Sequence, residues 1–441
     1  MSTPSRTLPP EQGQAVTAAT AAIAALFNGL SHRNFRVRLW DGTVWAPDDA
    51  HQADFTILVR SPAALRRLLW PHSEAALAEA YLTDALDIEG DIFAVPAVGR
   101  EIIERRRTLR EKVRVGLRLA AVPMDDEGSD PVSDGVAPRV APLRGPVHSL
   151  ARDRAAVTHH YDLSNRFYEL VLDSTMAYSC AVFTDADEEL APAQHRKLDL
   201  VCRKLRLQPG ERLLDVGCGW GSFIIHAARD YGVEATGITL SERQAELARA
   251  RIADAGLTDR CTVGVVDYRR LEDSGSFDKA VSIGMFEHVG RARAPEYFAT
   301  VHRMLRPGGA YLHHTITRGA SAPDSRGGTV TGRYVFPDHE LLPIPENLEL
   351  AEKAGFDVRD VENLREHYAL TLRRWVASLE ARHDEAAAEV GEATWRAWRL
   401  VFAGSAHNFE TGRQGLIQAL LVKPHPDGRV ALPLGRGDWY D

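Results

Sequence analysis

The feature that most constrains this chain is a glycine-rich stretch, LLDVGCGWGSF at residues 213–223. It begins as an apolar run, turns on three alternating glycines and continues into FIIHAA at 223–228, which has the composition of a helix. A buried strand, a tight glycine turn and a helix N-terminus together form a cradle in which backbone N–H groups face a ligand. The stretch therefore predicts a nucleotide-type cofactor site, and the alternative is a glycine turn that serves packing alone.

The residues that follow the glycines favour one cofactor over another. A dinucleotide site typically carries an acidic residue about 20 positions further on, at the end of the second strand. Here the second predicted strand, VEATGI at 233–238, is followed by TLS at 239–241, which contains no acid. Asp215 instead ends the first strand, and Asp267 follows a third strand at 262–266. This spacing favours S-adenosylmethionine over NAD.

Composition sets the broad class of the protein. A chain of 441 residues is long enough for two or three domains, and its net charge of −8 argues against general nucleic-acid binding. No apolar run approaches the roughly 18 residues of a membrane span. The four cysteines form no CxxC pair, which favours a reducing, cytoplasmic compartment. The adjacent pair His159-His160 lacks metal-ligand spacing, so we expect no metal site.

The chain divides at a stretch rich in proline, glycine and serine that has no hydrophobic periodicity. We expect residues 122–150 to be a flexible linker between an N-terminal domain at 1–121 and a catalytic domain at 151–441. In the N-terminal domain an Asp41-Gly42 turn predicts a hairpin, and Ser61-Pro62 predicts a helix start. Strands are predicted at 35–40, 43–45 and 55–59, and helices at 61–70 and 74–82.

A long basic helix is predicted at 98–119, the end of the N-terminal domain. Its cations are Arg105, Arg106, Arg107, Arg110, Lys112, Arg114 and Arg118. Apolar residues share its length at near-helical spacing, namely Ile102, Ile103, Leu109, Val113 and Leu117. Two interpretations stay open: a solvated charged face, or a surface that docks on anionic lipid headgroups.

Strands and helices continue to alternate beyond the glycine stretch. A helix begins at Ser241, strands are predicted at 278–283 and 310–316, and a helix at 294–305 is followed by a PGG turn. This alternation predicts a parallel sheet with ligand sites at the carboxyl ends of its strands. The polar residues expected near those ends are Asp215, Thr239, Asp267, Glu287 and His314. Their clustering points to an enzyme site.

Taken in order, the motifs of residues 158–423 resemble the cyclopropane fatty acid synthases and the mycolic acid cyclopropane synthases. The matching motifs are HYDLSN at 160–165, YSCA at 178–181, LDVGCGWG at 214–221, TLSERQ at 239–244, DYR at 267–269, MFEHVG at 285–290, HTI at 314–316, YVFP at 334–337 and HYALTL at 367–372. The resemblance implies an α/β fold, a Rossmann-like class I methyltransferase domain with a helical substrate cap. The smaller α+β N-terminal domain resembles the extra, lipid-associated domain of the bacterial synthases.

The resemblance also implies a chemistry: S-adenosylmethionine donates a methylene to the cis double bond of an unsaturated phospholipid acyl chain, through a carbocation and with bicarbonate as base. In the family a Cys, a Glu, a His, an Ile and a Tyr hold the bicarbonate, and they match Cys180, Glu287, His314, Ile316 and Tyr368. The implied cofactor-binding residues are Tyr178, Ser179, Asp215, Gly217, Gly219, Trp220, Thr239, Leu240, Gln244, Asp267 and Tyr268. The competing interpretations are structural: Glu287 as a helix cap, and Cys180 and Tyr368 as core residues.

The resemblance leaves the product and the partners open. It implies a cytoplasmic enzyme on the inner face of the membrane, with no nucleic-acid partner. A methylene- or methyl-branched product, completed by a reductase partner, is the alternative outcome. A small-molecule or sterol methyltransferase is a third possibility, and a nonenzymatic S-adenosylmethionine binder is a fourth, against which the set Glu287, His314 and Tyr368 argues. A homodimer is compatible with all of them. Relatives often carry a cysteine where this chain has Ser405, so we expect no nucleophilic cysteine at that position.

Overall fold

A computed structural model describes residues 10–47, 52–69, 74–105, 107–123, 138, 140–161, 163–272, 274–320, 322, 330–430 and 432–440. Most of the linker predicted at 122–150 lies outside the described residues, as do Arg106 and Asp162. Among the described helices, none is both long enough and apolar enough to cross a bilayer. The chain forms two compact units, Met1–Arg139 with Gly391–His407, and Val140–Val390 with Asn408–Asp441.

The first unit combines helices with a four-stranded sheet, an α+β arrangement. Its elements are α1 (Pro10–Phe27), β1 (Phe35–Arg38), β2 (Val44–Trp45), β3 (Phe55–Val59), α2 (Pro62–Leu69), α3 (Glu74–Leu82), β4 (Leu86–Gly90), α4 (Val95–Glu104) and α5 (Leu109–Ala120). The strand order is β2-β1-β3-β4; β1 is antiparallel to β2 across the Asp41-Gly42 turn and parallel to β3. The Ser61 hydroxyl caps α2 by accepting from the N–H of Ala64 at 3.1 Å, as its position predicted.

The single basic helix predicted at 98–119 is wrong, because α4 and α5 are separate helices. α4 ends at Glu104, and Arg105 is extended with ψ 119°. α5 begins with a capping box: Thr108 Oγ1 accepts from the N–H of Glu111 at 3.3 Å, and Glu111 Oε2 accepts from the N–H of Thr108 at 2.7 Å. The TLRE signature at 108–111 is the local signal for this helix start, and it overrides the apparently continuous periodicity.

The second unit is an α/β domain. Its elements, together with a helix shared with the first unit, are α6 (Leu150–Tyr161), α7 (Asn165–Val171), α8 (Leu190–Leu205), β5 (Arg212–Val216), α9 (Ser222–Tyr231), β6 (Glu234–Thr239), α10 (Glu242–Asp254), β7 (Cys261–Val265), β8 (Phe277–Ile283), α11 (Ala294–Met304), β9 (Leu305–Arg318), α12 (Ile344–Lys353), β10 (Asp357–Asn363), α13 (Arg365–Ala381), α14 (His383–Val390), α15 (Glu392–Glu410) and β11 (Gln414–Val422). The shared helix is α15, whose residues up to His407 group with the first unit. The division predicted from the sequence had assigned all of α15 to the catalytic domain.

The sheet of the second unit confirms the predicted Rossmann-like architecture. Its strand order is β10-β11-β9-β8-β5-β6-β7, in which β5 to β9 run parallel and β11 is antiparallel to β9 and β10. The chain leaves β5 toward β6 on one side and returns to β8 on the other, so the topological switch point follows β5. This is the point at which the glycine stretch lies.

The strand predicted at 310–316 is longer than expected, because β9 runs from Leu305 to Arg318. The PGG sequence at 307–309, predicted as a turn, lies inside β9, where pairing passes from Phe277↔Leu305 to Lys279↔Ala310. Between these two pairs the chain moves five positions along β9 but only two along β8, so β9 contains a bulge. Gly308 accommodates the bulge with φ +82°. Because β11 keeps pairing with β9 as far as Arg318, His314 lies within the strand, opposite Ile283 at the end of β8.

Candidate active site

The cradle forms where β5 ends. The N–H groups of Gly217 and Cys218 both donate to the Ile238 carbonyl, at 3.0 and 2.9 Å, and this ties the turn to β6. Gly217 and Gly219 have φ of 93° and 53°, a region that side chains rarely adopt. A Cβ on Gly217 would lie 2.8 Å from Met285, whereas the nearest atom to a Cβ on Gly219 is Gln244 Nε2 at 3.8 Å. Both packing and backbone conformation therefore require glycine at position 217, whereas backbone conformation alone requires it at position 219.

A cavity of about 1080 Å³, its open mouth included, extends from this turn along the carboxyl ends of β5 to β8. All eleven predicted cofactor residues line it: Tyr178, Ser179, Asp215, Gly217, Gly219, Trp220, Thr239, Leu240, Gln244, Asp267 and Tyr268. The cap predicted from the motifs contributes α6 and the loop after α7. Ser222 Oγ and Arg251 Nη2 both donate to the Thr175 carbonyl, at 2.6 and 2.7 Å, and so hold that loop against the cradle.

The floor of the cavity contains one buried carboxyl, that of Asp215, and one buried amine, that of Lys197. Asp215 Oδ1 is buried and has no hydrogen-bond partner among the described residues. Burial raises the pKa of Asp215 to about 7, an effect that the charge of Lys197 opposes. Lys197 is itself buried, which lowers its pKa to about 8, and its Nζ donates to Ser179 Oγ at 2.9 Å. An unpartnered acceptor, a cation and a hydroxyl fit the charged methionine end of S-adenosylmethionine.

The side of the cavity near β6 and β7 is neutral or internally paired. Thr239 Oγ1 donates to Gln244 Oε1 at 2.8 Å, so a neutral pair stands where dinucleotide enzymes place an acid. Asp267 is already paired, because Arg269 donates to both of its carboxylate oxygens at 2.8 and 2.6 Å. Arg269 also donates to Asp153 Oδ2 at 2.9 Å and links α6 to this wall. Hydrogen bonds within the protein thus fix this part of the cavity before any ligand binds.

The five predicted catalytic residues, Cys180, Glu287, His314, Ile316 and Tyr368, do not line this cavity; we call them the inner cluster. Glu287 does not cap a helix: its Oε1 accepts from the N–H of Ile316 at 2.6 Å, and its buried Oε2 has no partner among the described residues. Burial raises the pKa of Glu287 to about 7, opposed by that N–H. The Ile316 N–H is therefore engaged within the protein, which the resemblance did not indicate.

His314 and Cys180 are both fully buried and neutral. Gln418 Nε2 lies 3.2 Å from His314 Nδ1, and His314 Nε2 has no partner among the described residues. Burial, with the charges of Lys197 and Lys204, holds the pKa of His314 well below its usual range. Burial also raises the pKa of Cys180, whose Sγ donates to the Ala181 carbonyl at 3.1 Å. Cys180 is therefore a thiol and not a thiolate nucleophile.

Aromatic rings connect the cavity to the inner cluster. Ring centroids are 6.0 Å apart for Tyr161 and Trp220, 6.2 Å for Tyr161 and Tyr178, 5.0 Å for Tyr178 and Trp375, and 6.0 Å for Trp375 and Tyr368. Tyr161 lines the cavity, yet its pKa is raised by burial and then by the Glu287 carboxylate, which lies nearby. Burial also keeps the pKa of Tyr368 well above 10, so its phenol is an O–H donor. The faces of such rings attract positive charge.

Sequence reasoning missed several residues of this region, above all Lys197 and Gln418. Lys197 lies four positions from both Ala193 and Val201 on α8, and all three are buried. A cation at core spacing on an amphipathic helix was the available signal. Gln418 lies directly opposite His314 across β11 and β9, a pairing that only the tertiary structure reveals.

Comparison with known proteins shows which protein family this chain resembles. The family model for mycolic acid cyclopropane synthetase matches residues 148–419, and a model for a domain of unknown function matches 22–103. A probable fatty acid methyltransferase of Pseudomonas putida is 42% identical over 412 residues, 93% of this chain and 97% of that protein.

Two solved structures are similar to this chain over 61% of its length. The cyclopropane synthase MmaA2 of Mycobacterium tuberculosis has a TM-score of 0.59 and 34% identity, over 61% of this chain and 98% of its own. Mycolic acid cyclopropane synthase CmaA1, complexed with SAH and CTAB, has a TM-score of 0.57 and 35% identity over the same shares. The chain therefore belongs to the mycolic acid cyclopropane synthetase family of S-adenosylmethionine-dependent methyltransferases.

Proposed function

We propose that this enzyme adds a methylene to the cis double bond of an unsaturated acyl chain in a phospholipid, forming a cyclopropane. The observation that carries the proposal is the inner cluster, in which Glu287 Oε2 and His314 Nε2 are buried without a partner in the part of the chain that the structure describes. Besides burial, the charge of Glu287 raises the pKa of both Tyr161 and Tyr368, two of the aromatic rings. A site that only bound S-adenosylmethionine would need none of these groups. An alkene is a weak nucleophile, so its methylation requires a dry site that orients both reactants and excludes water.

Each part of the site has a role in this proposal. S-adenosylmethionine, held by the cavity residues, supplies an electrophilic methyl carbon. The rings of Tyr161, Tyr178, Trp375 and Tyr368 lower the energy of positive charge that develops between the cavity and the inner cluster. The aromatic side chains also keep water from trapping that charge.

The inner cluster also fits a bicarbonate ion. An anion beside an ionised Glu287 would be repelled, but burial raises the pKa of this carboxyl to about 7, and an adjacent anion raises it further. The protonated Glu287 then donates an O–H, as Tyr368 does. Cys180 is a thiol that cannot compete as a base. Bicarbonate would supply the proton acceptor that these residues themselves do not provide.

The product assay tests the proposal directly. Purified enzyme, S-adenosylmethionine and vesicles of monounsaturated phospholipid should yield a lipid heavier by one CH2 that resists ozonolysis. Glu287→Gln should bind S-adenosylmethionine normally in calorimetry and give about 10²-fold less product. A product-free reaction with wild-type enzyme that binds the cofactor would refute the proposal and favour a small-molecule or sterol substrate.

A branched product is the second candidate, because the Pseudomonas putida relative that matches nearly the whole chain is named a fatty acid methyltransferase. If a hydride first shifts from the methylated carbon to the neighbouring cationic carbon, loss of a proton from the added methyl group leaves a methylene branch, which ozone cleaves. A reductase partner would then convert that branch to a methyl group. The same assay separates the candidates, since an ozone-sensitive product identifies the branched-chain enzyme.

We further propose that the enzyme works at the surface of an anionic membrane, on the cytoplasmic side, through α5. Val115 and Leu119 bury one face of this helix, while Leu109, Val113 and Leu117 on the opposite face remain 77%, 51% and 69% exposed. These three residues, the α5 stripe, recur every four positions and so lie along one side of the helix. Large apolar side chains exposed in a row are typical of a helix that lies in a lipid interface.

The charges beside the α5 stripe determine which surface it fits. Arg110, Lys112 and Arg114 flank it and are exposed. Two other cations of the segment make hydrogen bonds within the protein. Arg107 donates to the Leu26 carbonyl at 2.9 Å and Arg118 to the Ala21 carbonyl at 2.8 Å, so both bind the backbone of α1. An apolar stripe edged by cations complements acyl chains below anionic headgroups.

Vesicle cosedimentation tests this docking surface. Anionic vesicles should retain the wild type, and added salt should release it only in part, because the stripe contributes an apolar component. Replacing Arg110, Lys112 and Arg114 by Gln should remove the salt-sensitive part; replacing the α5 stripe by Ser should remove the rest. Arg429→Gln, an exposed cation of the other unit, is the control. Unchanged binding of both variants would refute the proposal, and a changed oligomeric state of the Ser variant would identify a homodimer contact instead.

A further inference from the structure

A row of buried hydrogen bonds leads from α8 to His314. Lys204 Nζ donates to Gln418 Oε1 at 2.8 Å, and Gln418 Nε2 lies 3.2 Å from His314 Nδ1. Lys204, Gln418 and His314 are each at most 1% exposed. Lys204 also pairs with Glu362, which supplies the negative charge that a buried ammonium requires.

The donors and acceptors in this row of hydrogen bonds can be assigned in only one way. An ammonium group only donates, so it fixes the Gln418 amide with its oxygen toward Lys204 and its NH2 toward the imidazole. The amide NH2 in turn only donates, so His314 Nδ1 must accept. A neutral imidazole that accepts at Nδ1 carries its proton at Nε2.

We propose that Lys204 and Gln418 are positioning residues that lock His314 in the Nε2–H tautomer. Because Nε2 is buried without a partner among the described residues, the lock makes His314 a hydrogen-bond donor to an anion in the inner cluster, and not the base of the reaction. The inference rests on the proposed function for the identity of that anion. The tautomer itself follows from the hydrogen bonds alone.

The first test reads the tautomer without turnover. Nitrogen-15 NMR of histidine-labelled enzyme distinguishes a protonated from an unprotonated ring nitrogen, and His314→Asn identifies the signals. We expect a protonated Nε2 in the wild type. In Gln418→Glu the carboxylate accepts instead of donating, so a proton should appear at Nδ1. His313, whose Nδ1 bonds the Tyr311 hydroxyl, is an internal reference that should not change. A wild-type proton at Nδ1 would overturn the proposal.

The second test reads the consequence for catalysis. Gln418→Glu and Lys204→Met should lower kcat about 10-fold to 100-fold with an unchanged KM for S-adenosylmethionine. Lys204→Arg keeps a side chain that only donates, so it should retain most of the wild-type activity and the wild-type tautomer of His314. If Lys204 had a merely structural role, the tautomer of His314 would be the same in the Arg and Met variants. Normal turnover in Gln418→Glu with a shifted tautomer would overturn the catalytic part. If the tautomer shifts as expected but wild-type enzyme forms no lipid product, the proposed function fails and the lock stands.

Discussion

The cofactor cavity and the inner cluster lie in the same unit but satisfy their polar groups differently. Along the cavity wall near β6 and β7, Thr239 pairs with Gln244 and Asp267 with Arg269, whereas in the cavity floor Asp215 Oδ1 has no partner among the described residues. In the inner cluster, Glu287 Oε2 and His314 Nε2 are buried without partners among the described residues. Unpartnered buried polar atoms cost free energy unless a ligand bonds them. The paired wall is organised before a ligand binds, whereas the cavity floor and the inner cluster keep unpartnered atoms at a cost in stability, as is common where function requires it.

The largest expected effect is a loss of cofactor binding caused by a change in the cavity alone. Gly219→Val should lower affinity for S-adenosylmethionine by about 10³-fold or more, because a branched side chain would enter the cradle at φ 53°. Calorimetry measures the affinity. Gly256→Val is the matched control, since Gly256 has φ 67° but an exposed position with no atom within 4 Å of its Cβ. Normal affinity in Gly219→Val would remove the cradle from the cofactor site.

A change in the inner cluster should leave binding intact. Tyr368→Phe should lower turnover by about 10²-fold to 10³-fold, because it deletes one donor to the reacting centre, while affinity for S-adenosylmethionine stays normal. Tyr297→Phe removes the hydroxyl of another tyrosine of the same unit, a buried one that bonds Tyr311, and should keep turnover. Equal losses in both variants would mean that Tyr368 is a core residue.

The two regions share one electrostatic property, the raised pKa of a buried carboxyl. Asp215 and Glu287 both titrate near 7 in the folded enzyme, above their unfolded values near 4. Between those values the folded state keeps protons that the unfolded state releases, so the stability that these two carboxyls contribute is fully present below about pH 4 and is lost as pH rises toward 7. Asp215→Asn and Glu287→Gln should each flatten this fall by about 2 to 3 kcal/mol.

Urea unfolding from pH 5 to pH 8 measures that slope, compared with the wild type in the absence of ligand. Buried histidines such as His288, whose pKa burial lowers to about 4, add an opposite trend below pH 6.5, which cancels in the comparison. The exposed Asp259→Asn is the control. A slope identical to the wild type in both variants would show that neither carboxyl retains its proton on folding.

The smallest expected effect lies outside both regions. Ser405, the position at which the family resemblance led us to compare serine with cysteine, is half-buried in α15. Because the proposed chemistry uses no nucleophilic thiol, Ser405→Cys should change turnover by less than about twofold. Steady-state rates with vesicle substrate measure it. Labelling of the new cysteine by the substrate would instead indicate a covalent route.

Local signals determined much of this protein. The glycine stretch fixed the turn after β5, the period of apolar residues identified the strands, and the Ser61 and Ser241 caps marked helix starts. These features depend on neighbours within a few positions, so the sequence carries them directly. The same holds for the Thr108 capping box, which the sequence contained and the periodicity obscured.

Only the tertiary structure decided which polar groups remain unpaired. Gln418 reaches His314 across two strands that are distant in sequence, and Lys197 enters the cavity from α8. The Ile316 N–H of β9 donates to Glu287, which follows β8, so this contact also joins residues that are distant in sequence. Burial, charge and hydrogen-bond polarity at such positions arise from long-range packing, which raises the pKa of Glu287 and is the basis of the tautomer proposed for His314.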